Sequence, residues 1–357
     1  MAHAGVTGNG LVRALVFLGG FAPVLFFAVS GVTTVMQAGR KRLPVVILTY
    51  GFLFFLGLAL NALSPDPFVS NIIQCVSLSV ILLAVGLQYM KPELLGITFL
   101  VPFLIHLARP EDLPYPIAGF LFERGWFPLF PWLSFFLLGM WWYFEKNFAR
   151  KFLGLAGGIA LLTVAYLNGG NFTSKYDMSV GYFALSYLGV IIIFTLAKYY
   201  GKHTESGFTK LARGANLRRL WRGSALLPYI GRHSLLFLFA HYLIIFSLGA
   251  LDIDLSAGNW FMILILAPPV MYAAQFLNSL TLQKWGTPHT YWFWAILALS
   301  TLLNLLAINI VPKTATFGFS LLLGFIISCN YHSLSVVIEK AVTRKIHSRR
   351  ILRFFLP

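Results

Sequence analysis

The chain has 357 residues, of which 58% are apolar and 11% charged, against about 45–50% and about 25% in an ordinary soluble domain. Together with a mean hydropathy of +0.78, this excludes a soluble enzyme and a secreted disulfide scaffold and indicates an integral membrane protein. The net charge of +16, from 27 Lys+Arg against 11 Asp+Glu, reads in such a chain as basic cytoplasmic loops, and no nucleic-acid partner is expected.

A membrane-crossing helix needs about 20 mainly apolar residues. In chain order that template predicts eleven spans, at 14–37, 44–63, 70–90, 93–109, 128–144, 152–167, 181–200, 234–251, 259–281, 291–311 and 317–339. The expected fold class is all-α: one polytopic helical membrane domain over residues 1–357, with a basic cytoplasmic tail at 340–357. No internal repeat or soluble insertion interrupts it. Cys75 and Cys329 both lie in apolar runs and carry no redox or metal message.

Orientation follows from the basic residues. Of the 27, 22 fall in one set of alternate loops: Arg40 to Arg42, Lys91, Lys146 to Lys151, Lys198 to Arg232, Lys284, and the tail from Lys340. The opposite set holds Arg13, Arg109, Arg124, Lys175 and Lys313, together with most of the acids. The positive-inside rule therefore puts the N-terminus outside and the C-terminus inside. The opening MAHAGVTGNG lacks the basic n-region of a signal peptide. A preceding span would explain an outside N-terminus.

Polar groups at membrane depth are the informative ones, because ionisable side chains there are costly. His241 lies seven residues into the eighth span, about 10 Å from its inner end. His332 lies in the eleventh span, His106 near the outer end of the fourth, one turn before Arg109, and Arg13 at the outer start of the first. Each histidine either bonds a neighbouring helix and glues the bundle or serves a ligand. In the outer segment 110–131, prolines at 114, 116, 128 and 131 argue against one continuous helix. It either caps an outward-facing cavity or forms an interfacial aromatic belt. The inner loop 201–233, with its KLARGANLRRLWRG stretch, meets either anionic lipid or a phosphate-rich cosubstrate. Asn171-Phe-Thr is a glycosylation sequon on the outer side. Walker A, dinucleotide Gly-fingerprint, HExxH and GxSxG patterns are absent.

Three segments together resemble the transmembrane acyltransferase superfamily, closest to the branch of heparan-α-glucosaminide N-acetyltransferase and related to the acyltransferase-3 branch. FAPVLFFAVSG at 21–31 resembles that group's second core helix, FPLFPWLSFFLLGM at 127–140 its Pro-Trp helix, and YIGRHSLLFLFAHY at 229–242 the helix near the end of its core. The resemblance implies transfer of an acetyl or other short acyl group from cytosolic acyl-CoA to an extracytoplasmic glycan or glycolipid amine or hydroxyl. Acyl-CoA is then the cosubstrate, no metal is implied, membrane lipid is the surrounding partner, and there is room for a homodimer.

In such a family a histidine at the outer end of the first core helix is the catalytic base, and His3 falls at that position. The helix that would carry it, entered through an Arg-Gly pair, is missing upstream. Either the chain begins at an internal Met of a longer protein, or the first helix has been shed. His241 matches the family's helix histidine, and Phe237 stands where the family has a tyrosine. Arg40, Lys41, Arg42 and Arg232 are cytosolic, at the inner ends of two family-like helices, and are the candidates for the CoA phosphates. Two other classes stay open: a secondary transporter or flippase, which lacks support from repeats or mid-membrane acids, and an inactive relative. Single cysteines introduced at positions 8 and 210 should label from opposite faces of intact cells. Labelling of both from one side would refute the topology.

Overall fold

The computed structural model describes residues 21–60, 70–109, 113–122, 127–172, 178–211, 233–250, 257–285, 291–306 and 312–355. Among them every regular element is helical. In chain order these are α1 (Ala22–Ala38), α2 (Leu43–Leu60), α3 (Ile72–Gly86), α4 (Pro92–Leu107, with a 3-10 turn at Ile97–Phe99) and α5 (Tyr115–Leu121). They are followed by α6 (Leu129–Phe144), α7 (Phe148–Leu167), α8 (Val180–Leu211), α9 (Ser234–Ala250), α10 (Ala257–Trp285), α11 (Tyr291–Leu306) and α12 (Lys313–Phe355). Two of these, α7 and the first part of α8, are long and apolar enough to cross a membrane, or three where the bent pair within α12 is counted as one span. Seven more described helices are apolar over 10–17 residues.

Local chemistry explains the helix ends. Asn71 caps α3 by accepting from the Ile73 and Gln74 N–H groups, while the Gln74 side chain accepts from the Asn71 N–H, a reciprocal capping box. Asn147 caps α7 in the same way through Ala149 and Arg150. The prolines of the outer segment act as expected: α5 starts after Pro114, α6 after Pro128, and backbone at Phe130 (φ −95°, ψ 125°) breaks the first turn of α6. The basic segment after residue 200 differs from the expectation of a loop, because α8 continues to Leu211. Likewise the tail from Lys340 continues α12 to Phe355. Hydropathy ends an apolar run where polarity begins, but the helix itself continues past that point.

The main core is built on α1 against α6, the most extensive helix pair described. Phe27 is fully buried among Phe127, Trp132 and Phe136, at ring-centroid distances of 5.7, 5.1 and 5.2 Å. A Cβ on Gly31 would collide with the Phe136 backbone, and one on Gly139 with the Ala28 backbone. The two helices run parallel, and the absence of side chains at both glycines lets their backbones touch. Further contacts fix the other directions. The N–H of Phe127 donates to Ser70 O at 2.9 Å, setting α3 parallel to α6. Phe135 meets Phe183 and Trp142 meets Thr195, so α8 is parallel as well. Phe99 on Tyr187 and Phe103 on Phe183 make α4 antiparallel to α8. Phe239 on Phe325 and Phe246 on Phe317 make α9 antiparallel to α12.

Among these described helices α1, α3, α6 and α8 thus share one direction and α4 opposes them, while α9 and α12 oppose each other. One end of the bundle gathers Arg40, Lys41, Arg42, Lys91, Lys146, Arg150, Lys151 and Lys198, and the other has Arg109 and Lys313. The sides of the bundle are apolar. Leu153, Ile159 and Val164 on α7, and Ile296, Leu299, Leu302 and Leu303 on α11, are each more than half exposed. Water-soluble surfaces rarely present such continuous apolar faces. Gly31→Leu or Gly139→Leu should force α1 and α6 apart and destabilise the fold by about 1–3 kcal/mol or more. Unfolding in detergent measures this, with Gly157→Leu, at an open position, expected to be neutral.

Candidate functional site

Arg40, Lys41 and Arg42 form the tight turn from α1 to α2. The N–H groups of Arg40 and Lys41 both donate to Gln37 O, and Arg42 O accepts from Val45 and Val46. Arg40 and Arg42 are exposed and Lys41 is partly buried. Burial lowers the Lys41 ammonium pKa, and the negative charge of Glu339 on α12 works against that fall. Thus two of the three predicted phosphate ligands are open to solvent, while the third faces a carboxylate.

Inward from this turn lies a polar layer. The Tyr50 hydroxyl donates to Gln37 Oε1 at 3.1 Å, and its ring lies 6.5 Å from that of Tyr331. Next to Tyr331, Asn330 exchanges amide hydrogen bonds with Asn278 of α10 at 2.8 and 3.2 Å. Gln275, one turn before Asn278, meets His233 Nδ1 at 3.2 Å. Tyr50 lies eight residues on from Arg42 along α2, and His241 eight residues on from His233 along α9, about 12 Å in each case.

Helix α12 bends by 69° between Ala315–Tyr331 and Ser333–Val342. No proline is present there. Asn330 Nδ2 donates to Ile326 O at 2.8 Å and Ser333 Oγ to Asn330 O at 2.6 Å. Such side-chain donors compete for carbonyls of the helix ladder and are a recognised source of helix bending.

His241 lies on α9, eight residues beyond His233, the residue that meets this layer. Its ring stacks on Tyr242 (4.6 Å) and Phe237 (6.1 Å). Beside the ring runs the backbone of Phe237 and Leu238, yet the buried Nδ1 has no hydrogen-bond partner at proper geometry. α9 packs on α12, and α12 packs on α2 beside the basic turn. The link from His241 to Arg40–Arg42 therefore runs through α12. His3 and Arg232 lie outside the described residues, as does Arg13, and the side chain of His332 is likewise undescribed although its backbone sits at the bend. Among the described residues no group of three His, Cys, Asp or Glu could hold a metal ion.

Sequence reasoning missed Asn278, Asn330, Gln275, Tyr50 and Tyr331. Their signal was present, as isolated amides and phenols inside apolar runs, but attention to ionisable groups passes over neutral ones.

Comparison of the chain with family models, with curated proteins and with solved structures finds no match.

At the inner end of α6, Glu145 is buried and accepts from the Asn147 N–H at 2.8 Å and from Arg150 Nη1 at 3.3 Å. Burial alone would raise its pKa, but these donors outweigh burial and hold the carboxyl below its usual range. A depressed folded-state pKa contributes stability above the unfolded value, near 4.3, which is lost as pH falls through the folded value. Glu145→Gln should cost about 1 kcal/mol at neutral pH. That difference should shrink as pH falls below the ordinary carboxylate range and through the lower folded-state value, as measured by denaturation across pH.

Proposed function

We propose that this chain is a multi-pass integral membrane acyltransferase of eleven spans, N-terminus outside, acting on an extracytoplasmic glycan amine or hydroxyl with cytosolic acyl-CoA as donor. The observation that carries the reading is the pairing of α1 with α6. Two segments singled out separately for their resemblance to the transmembrane acyltransferases fold against each other, with the glycine of each on the backbone of the other. α9, the third such segment, contributes Phe239 to the same core. The apolar flanks and the basic end support the membrane reading.

In the proposed reaction the neutral imidazole of His3 takes the proton of the acceptor amine or hydroxyl. The acceptor attacks the thioester carbonyl, the carbon–sulfur bond breaks, and the CoA thiolate leaves with a proton. Arg40, Arg42 and Arg232 hold the donor's phosphates at the inner face, and Lys41 adds a weaker charge because Glu339 offsets it. His241 lies inward of that basic turn, and its unpartnered ring nitrogen suits a polar group of the pantetheine arm. The bend in α12 favours a second reading, a secondary transporter or flippase for a lipid-linked or glycan substrate, since broken helices recur at transport sites.

Purified protein should hydrolyse or transfer from acetyl-CoA. His3→Ala should lower turnover by about 10²–10⁴-fold with donor binding intact. Neutralising Arg40, Lys41 and Arg42 together should weaken donor binding by roughly 10- to 100-fold, and His241→Ala should weaken it too. Wild-type donor affinity in the folded triple variant would return the basic turn to a purely topological role. Substrate flux without any acyl-CoA chemistry would establish the transporter instead.

A further inference from the structure

We propose that the inner corner formed by α6, α7 and α8 is a binding site for the phosphate of an anionic membrane lipid, a site separate from the Arg40–Arg42 turn. The inference rests on the membrane reading given above and on three observations. First, the corner holds four cations, Lys146, Arg150, Lys151 and Lys198, with Glu145 as the acid paired there. That carboxylate is already engaged by Arg150 and by the Asn147 N–H.

Second, Lys151 is held rather than free to spread. Lys151 Nζ sits 5.1 Å from the centroid of the Trp142 ring. The Trp142 indole is fixed by its N–H donating to Thr195 Oγ1 at 3.2 Å, and that hydroxyl in turn donates to Ile191 O at 2.7 Å. Lys198 follows Thr195 by three residues, on the same side of α8. The charges of Lys151 and Lys198 repel each other, and Glu145 attracts Lys151. Lys151 over a rigid ring, with Lys198 one turn beyond Thr195 and the local acid already paired, forms a place for an anion to settle.

Third, the surroundings select a lipid over a soluble phosphate. Phe148, Phe152, Leu196 and Tyr199 flank the corner and are 48–81% exposed. Acyl chains lying along α7 and α8 would cover them while the headgroup phosphate meets Lys151 and Lys198.

The test uses the full chain in neutral phosphatidylcholine nanodiscs, with phosphatidylglycerol added at fixed total lipid and thermal unfolding as readout. The acidic lipid should raise the wild-type Tm by a few degrees, on the order expected for saturating a weak site. Lys151→Gln/Lys198→Gln should lose most of that rise while keeping the wild-type Tm in neutral lipid, and Lys91→Gln should keep it. If the double variant fails to fold, Lys198→Gln alone, at an exposed position, must lose part of the rise. A rise equal to wild type in the folded lysine variants would overturn the site. Abolition of the rise by millimolar inorganic phosphate would overturn the lipid assignment in favour of a soluble anion. If the protein is monodisperse without detergent, the membrane reading itself fails, whatever the lysine variants do.

Discussion

Two helix backbones in direct contact, α1 and α6, set the geometry of everything around them. Between helices this apolar, close packing and hydrogen bonds decide which pairs associate. Gly31 and Gly139 remove the side chains that would hold the backbones apart, and Phe27 fills the widening gap toward the outer end with Phe127, Trp132 and Phe136. α6 then serves as a post. α3 is tied to its outer end by the Phe127–Ser70 hydrogen bond and by the Cys75 thiol on Pro128 O. α4 presses Gly96 on the backbone of Trp141, and α8 receives the Trp142 indole at its inner end. A shift between α1 and α6 would thus be felt at both ends of the molecule.

The second half of the chain is held differently. α9, α10 and α12 share a smaller apolar cluster around Leu236, Ala240 and Met271, and depend more on polar pairs. The Asn278–Asn330 exchange and the Gln275–His233 bond are worth about 0.6 kcal/mol each on average in a membrane interior, rarely above about 1.7. These are small sums, yet each also removes the larger penalty of an unpaired buried amide. The bend in α12 occurs where such bonds concentrate, between Asn330 and Ser333. A helix whose side chains already compete with its own ladder is the element best placed to change shape when something binds beside it.

The helices were legible in the sequence because a long apolar run keeps its backbone hydrogen bonds internal as a helix. The inner extensions of α8 and α12 were not legible, since polarity marks the end of the membrane and not the end of a helix. Nor was the polar layer. Asn278 and Asn330 stand 52 residues apart, and nothing in either run announces the other. Among the predicted site residues, Arg40 and Arg42 are exposed, but the partial loss of Lys41 to Glu339 needed the antiparallel register of α2 and α12.

Charge at the inner face serves two ends that obey different physics. Orientation depends on how many basic residues a loop carries and is indifferent to where their heads point. Binding an anion requires that the heads converge and that no acid has reached them first. Judged so, the basic residues divide. Arg150 is spoken for by Glu145, and Lys41 shares the field of Glu339. Arg40 and Arg42 are open but lie on a turn that water surrounds. Lys151 has a fixed aromatic seat, and it shares with Lys198 mutual repulsion and an apolar flank. A phosphate there would relieve repulsion that the fold creates by packing α7 and α8 over the end of α6, so a ligand's binding would tighten the same three-helix corner that positions α6 against α1.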